Sequence, residues 1–343
     1  MEASILARRV GRFKWYVRAV ATQVVRVTFT VEPNYAGWRL DRYLQEKIRR
    51  LSRERIQHLI SSRLEAEGGR RLKPSTRVQP GLTFALLKDQ EPEPETPLDF
   101  EVVHDDGALL VVDKPAGLPV HPTARYAAHT FTSVAKLRFP DRKVDPAHRL
   151  DRETSGLLAC GSAPEVTRVL KRDFAHGRVA KTYLALAHGA PAEDRFVVDA
   201  PLALTGASAV RVRMHVDAAG LPSTTAFEVL ERRTAPDGAP VALLACRPRT
   251  GRQHQIRAHL LHAGLPMVGD KIYGPDEHIF DRFTRREMTD DDRARLRLPR
   301  HALHAWKLEL PHPVTRAAVA LEAALPGDLA AFWDACERAR RIA

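Results

Sequence analysis

The chain has 343 residues, 44% hydrophobic and 28% charged, enough for one large domain and a small one and too ordinary in composition for wholesale disorder. No apolar run approaches the roughly 18 residues of a spanning helix, and Cys160, Cys246 and Cys336 lie far apart, which argues against a disulfide framework or thiolate metal site and points to a reducing cytoplasm. The net charge of +12 is uneven: residues 1–90 hold 19 Lys and Arg against 8 Asp and Glu while the rest is nearly neutral, so the N-terminal quarter is expected to meet a polyanion through its phosphates.

In chain order, residues 1–23 are Arg-rich without a Ser-rich stretch or cleavage pattern, and are expected to be a poorly ordered extension. VVRVTFTVEP (Val24 to Pro33) alternates like a short strand, and the extension is drawn to residue 37. Leu40, Tyr43, Leu44, Ile48 and Leu51 then fall at helical spacing, and Ser52 can cap a second helix with Ile56, Leu59 and Ile60 on its apolar side. Arg42, Lys47, Arg49, Arg50, Arg53, Arg55 and Arg63 occupy the other faces, more cations than solubility alone requires. RRLKPSTRVQPGLTFALL reads as turn and strand, with a turn at Pro80-Gly81. QEPEPETP, 90–97, is an extended linker that can bury almost nothing. From residue 98 to 343, ALLVVD, TYLALAHG, TTAFEVLERR and VALLACRPRT predict strands, and PEVTRVLKRDFAHG and HQIRAHLLHAG predict helices, together an α+β domain with a substantial mixed sheet. Residues 275–300 are strongly charged and suggest a surface excursion carrying one helix.

Chemistry is sparser. HRLDRETSGLLA, 148–159, sets Asp151 between two arginines on a turn before a buried-looking strand, and the stretch alone leaves open an ion pair or a reacting carboxylate. Neither G-x-G-x-x-G nor a P-loop occurs, no H-E-x-x-H supports a metal site at His254, His259 and His262, and the kinase echo of HRLD lacks its companion motifs. No metal or cofactor is expected.

Four segments taken together, VVDKPAGLPVHP (111–122), HRLDRETSGLL (148–158), KTYLALAHG (181–189) and RTGRQHQIRAHLLHAGLPMVGDKIYG (249–274), resemble the motifs of the RluA family of RNA pseudouridine synthases. Residues 38–89 resemble the S4 RNA-binding domain, although EAEGG stands where that family has a hydrophobic hairpin. The resemblance implies a mixed, largely antiparallel sheet flanked by helices, and isomerisation of uridine in structured RNA: ribosomal RNA of the large subunit, with tRNA as the alternative. It implies Asp151 as the catalytic carboxylate, Arg252 as its cation, Tyr183 as a ring against the uracil, and Arg149 filling the space of an extruded nucleotide. Whether the carboxylate attacks C1′, attacks the base or takes a proton from C2′ stays open. His148, Thr154, His254 and Arg257 are expected to support the site or the RNA, Lys114 to shape the pocket rim, and Arg49, Arg53 and Arg55 to meet the RNA backbone. A cytoplasmic monomer is expected. The rival of another class is a noncatalytic RNA-binding protein of ribosome assembly that keeps the fold.

Overall fold

The computed structural model of the protein describes residues 23–49, 51–90, 93–123, 125–206, 210 and 212–338, which fall into two compact units, 23–94 and 95–338. The extension expected over 1–23 lies, except for Gln23, outside the described residues, as does Arg50.

The smaller unit runs β1 (Gln23–Thr30), α1 (Leu40–Lys47), α2 (Arg53–Arg63), β2 (Leu64–Ala66) and β3 (Thr83–Gln90). The strand assigned to an extension belongs to this unit instead, because β1 pairs antiparallel with β3 over all eight of its residues. Ser52 Oγ accepts the Arg55 N–H and starts α2, as its position before the apolar period predicts. Leu40, Tyr43, Leu44, Ile56 and Ile60 are buried with Val31, Val78 and Phe84 in one core. Asp41, fully buried at the start of α1, accepts from Arg39, from Arg53 at 3.1 and 3.2 Å, and from Gln57 at 2.8 Å, which ties α1 to α2. A buried carboxylate needs such partners. Arg53 gives its Nε and Nη2 to this contact while its side chain stays 55% exposed, and Arg49 ion-pairs with Glu46 at 2.5 Å. Arg55 is exposed.

The larger unit contains β4 (Glu101–Asp105), β5 (Leu109–Lys114), α3 (Phe131–Arg138), β6 (Asp145–Pro146), β7 (Ser155–Gly161), α4 (Pro164–Ala175), β8 (Ala180–His188), β9 (Arg195–Asp199), β10 (Leu202–Leu204) and β11 (Met214–Val216). It continues with β12 (Thr224–Thr234), β13 (Pro240–Pro248), α5 (Gln255–His262), α6 (His278–Arg285), α7 (Asp290–Leu296), β14 (Leu303–Pro311), β15 (Ala318–Glu322), α8 (Gly327–Asp334) and β16 (Glu337–Arg338). Eleven strands form one sheet: eight along the path β16-β12-β13-β8-β14-β7-β5-β4, with β15 on β14, β6 on β7 and β9 on β12, antiparallel except where β14 meets β7. The fold is α+β with a mixed, largely antiparallel sheet. Alternate side chains of β5 and β7 feed different cores: Leu110, Val112, Leu158 and Cys160 pack under α3, and Leu109, Val111, Leu157 and Ala159 pack with Leu170 of α4. That double burial is why β7 reads as an unbroken apolar run.

The 275–300 excursion holds two helices, α6 and α7, rather than the one expected. Arg286 ends α6 in a left-handed conformation, and Thr289 and Asp292 form a reciprocal capping box that starts α7. Arg282 reaches from α6 to Asp292 and Asp276, and Ile279 and Leu296 are buried beneath.

At the parallel junction, Gly156 of β7, Ala305 of β14 and Tyr183 of β8 stand in register across three strands. Gly156 has φ +110°, and a Cβ there would lie 2.3 Å from the Ala305 carbonyl oxygen. The strands close on each other only because that residue has no side chain. Gly156→Ala is expected to destabilise the protein by about 3 kcal/mol through strain and overpacking, read as a lowered thermal midpoint with activity lost in proportion. An unchanged midpoint would contradict this account of the junction.

Candidate active site

The loop before β7 is built by its neighbours before it does any chemistry. Leu150 is buried in the core under α3 and anchors the loop, and the Thr154 N–H donates to the Asp151 carbonyl to make the turn. His148 folds inward: Nε2 accepts the Ala159 N–H at 3.0 Å and the ring stacks on Phe174 at 4.5 Å. Burial pushes its imidazole down to about 3, so it is neutral and orients the loop. Thr154 Oγ1 pairs with His301 Nε2 at 2.8 Å in the interior. Lys114, expected at the pocket rim, is instead fully buried: its Nζ donates to the carbonyls of Pro115, Leu118 and Arg152, tying β5 to the loop. Three acceptors match the three protons of an ammonium, so none of its donors remains for RNA.

Asp151 projects from this loop with 21% of its side chain exposed. The cation that meets it is Arg257, not Arg252. Arg257 Nη1 donates to Asp151 Oδ2 at 2.8 Å, while Nε and Nη2 donate to Asp270 Oδ2 at 2.6 Å and Oδ1 at 2.8 Å. Asp270 is completely buried and also accepts the N–H groups of Ile272 and Tyr273. Arg252 lies on the turn before α5, exposed, with Nε donating to the Pro222 carbonyl at 3.3 Å. The physical reason is helix phase: α5 begins at Gln255 with His254 left-handed before it, so Arg257 is carried inward in the first helical turn. Gln255 locks that turn by accepting the Thr250 hydroxyl and the Arg252 N–H.

Burial is the largest single influence on the Asp151 carboxyl and would raise it, but the charge and hydrogen bond of Arg257, with His254 and His301 adding to them, together hold the group at about 2. Burial opposes the charge of Arg257 as well, and Asp270 more than restores it. The anion is thus kept by a cation that a second carboxylate has fixed in place.

Asp151, Arg257 and Tyr183 line one cleft of about 640 Å³ with Arg149, Lys181 and His254. Burial first, and then the Asp151 charge, raises the Tyr183 hydroxyl above its usual range, so it stays protonated. That hydroxyl has no hydrogen-bond partner among the described residues. Arg149 is exposed on the rim, also unpaired among them. No three His, Cys, Asp or Glu side chains of the described residues gather so as to hold a metal ion. The arrangement provides an ionised carboxylate, a ring whose hydroxyl has no partner among the described residues, and an exposed cation around a cleft of about 640 Å³.

The family described as RNA pseudouridylate synthase matches residues 108–262, a span containing Asp151, Tyr183 and Arg257. A ribosomal large subunit pseudouridine synthase D of Nitrosomonas europaea is 35% identical over 322 residues, covering 90% of this chain and 87% of its own. The chain belongs to the RluA family of RNA pseudouridine synthases. The enzyme of the same description from Pseudomonas aeruginosa is 33% identical over 85% of this chain and 90% of its own. Human RNA pseudouridylate synthase domain containing 1 superposes with a TM-score of 0.57 at 26% identity, covering 72% of this chain and 91% of that one. As a pseudouridine synthase, the protein isomerises uridine in RNA, breaking the N1–C1′ bond and joining C5 to C1′.

Several residues of this pseudouridine synthase site escape sequence reasoning. Asp270 sits in VGDKIYG, where glycine and lysine read as a turn, and no periodicity pairs it with Arg257. Glu153 accepts from Lys271 at 3.0 and 3.1 Å, and Lys271 also donates to the Pro299 carbonyl, so the loop that bears Asp151 is stitched to the chain beyond α5. His301 reaches Thr154 from 147 residues away. Such contacts leave no local pattern to read.

Proposed function

We propose that this pseudouridine synthase modifies large-subunit ribosomal RNA in the cytoplasm, as a monomer, with Asp151 as the reacting carboxylate. The observation that carries the reading is the Asp151–Arg257–Asp270 chain, which keeps one carboxylate ionised at the mouth of a cleft of about 640 Å³. Each route open to the aspartate, attack at C1′, attack on the base or removal of the C2′ proton, begins from the anion, and that is what the network secures. Tyr183 offers its ring to the uracil and its protonated hydroxyl to proton transfer at C5. Arg149, unpaired on the rim, takes the space of the nucleotide drawn out of the stack. The basic smaller unit binds structured RNA by shape and phosphate contacts, as its S4-like order of helices and strands suggests. The names of the two bacterial relatives favour ribosomal RNA over tRNA. Three buried free cysteines suit a reducing compartment.

The test is a map of pseudouridine in ribosomal and transfer RNA from cells lacking the gene. The expected result is loss of one or a few positions in large-subunit RNA, restored by the wild-type gene. Loss confined to tRNA would replace the proposed target, and an unchanged map would reject the reading.

A further inference from the structure

His254 precedes α5 with a left-handed backbone, φ 53° and ψ 19°, a conformation rare outside glycine but open to asparagine, aspartate and histidine. Its side chain is 10% exposed and lines the cleft, with Nδ1 at 3.0 Å from Tyr273 Oη and Nε2 at 3.9 Å from Asp151 Oδ2. Tyr273 is completely buried, and its hydroxyl already accepts the Met214 backbone N–H at 2.8 Å. That hydroxyl has one proton to give. If Nδ1 carried the imidazole proton, the hydroxyl would accept twice and its own proton would find no acceptor among the described residues. Donation from Tyr273 to Nδ1 leaves all three groups satisfied. Burial, with Arg257 adding to it, pushes the imidazole down to about 4, so the ring is neutral at pH 7 and its single proton sits on Nε2. At 3.9 Å this donor is too far from Asp151 for a hydrogen bond, and no other described residue accepts it.

We propose that His254 contacts the substrate through Nε2–H, a donor that Tyr273 fixes in that tautomer, aimed at an oxygen of the target uridine beside the atom that Asp151 engages. The acceptor is the ribose 2′-hydroxyl or a uracil carbonyl. A contact to the first orients the sugar against the carboxylate, and a contact to the second meets negative charge as the N1–C1′ bond breaks. The inference rests on Asp151 being the reacting carboxylate.

His254→Asn keeps a residue suited to the left-handed backbone but is too short to reach the cleft as Nε2 does, whereas His254→Gln restores the reach. In single-turnover tritium release from a large-subunit ribosomal RNA transcript carrying 5-tritiated uridine, His254→Asn is expected to slow the reaction about 10- to 100-fold. Transcript affinity and thermal midpoint should stay near wild type. His254→Gln should recover part of the rate, and Tyr273→Phe, which frees the tautomer, should fall between. A wild-type rate for His254→Asn overturns the proposal, as does an equal loss in the Asn and Gln variants. Asp151→Asn run alongside separates the two readings: full activity there removes the premise, whereas its loss beside an active His254→Asn removes only the histidine. Synthetic RNA of the mapped site with 2′-deoxyuridine at the target then names the acceptor. The penalty of His254→Asn vanishes there if the acceptor is the 2′-hydroxyl and persists if it is the carbonyl, either result supporting the contact.

Discussion

Asp151→Asn is expected to cut single-turnover tritium release by on the order of 10⁴-fold or more, the scale seen when the group making or assisting the covalent step is removed. Transcript affinity should change only a few-fold, because the cleft, Tyr183 and the rim cations are untouched. The fold should tolerate the change: the amide is nearly isosteric, and Asp270 still holds Arg257 through two hydrogen bonds at 2.6 and 2.8 Å. Retention of activity within tenfold would sink the assignment of the carboxylate. The pH dependence adds an independent check. With the Asp151 carboxyl held at about 2, the wild-type enzyme should show no acid limb from this group at any pH where it is comfortably folded. An acid limb near pH 5 that vanishes in Asp151→Asn would show the group to be far less depressed.

How much of this could be read from the chain depends on whether a feature is local. β7 was legible because SGLLACG is apolar on both faces, and α2 because Ser52 stands one residue ahead of a 3.6-residue period. The motifs around Asp151 and Tyr183 were legible because turn residues and a strand bracket them. Arg252 and Arg257 were not distinguishable: both lie in TGRQHQIR, and which one faces inward is settled by where the helix starts. That start depends on the left-handed His254 and on Gln255 reaching the backbone of Thr224 at 3.0 Å, both set by tertiary structure. Lys114 was misplaced for a related reason. A lysine in VVDKP reads as a rim residue, and only the convergence of three carbonyls makes its burial tolerable. α7 was hidden because three aspartates after Thr289 resemble a solvated surface, although Asp292 is a buried capping residue.

Arg257→Gln should be the most damaging change to stability, at about 3–5 kcal/mol, because it leaves two carboxylates without their cation, one of them fully buried. Arg252→Gln, by contrast, removes an exposed side chain with a single long hydrogen bond to a carbonyl and should leave the thermal midpoint within about 1 °C, since such surface substitutions rarely exceed a few tenths of a kcal/mol. The sign of the pH dependence follows from the direction of the shifts. Asp151 and Asp270 are both depressed in the folded protein, so each adds stability above the unfolded carboxyl value of about 3.9 and loses it as pH falls toward the folded values. The stability gap between wild type and Arg257→Gln should therefore be full only above the raised carboxyl values of the variant, and narrow as pH falls from there toward the depressed wild-type values. Catalysis should follow the opposite logic within the variant. Without the guanidinium, burial is the dominant influence on Asp151 and raises its carboxyl, so the rate at pH 7 should drop at least 100-fold and climb again with rising pH. Arg257→Lys should repair little of this, because one ammonium cannot reproduce a fork that grips Asp270 with two nitrogens and Asp151 with the third. If Arg252→Gln instead showed the large loss of midpoint and the alkaline recovery, the cation that keeps Asp151 charged would be the other arginine, and the helix phase described for α5 would be wrong.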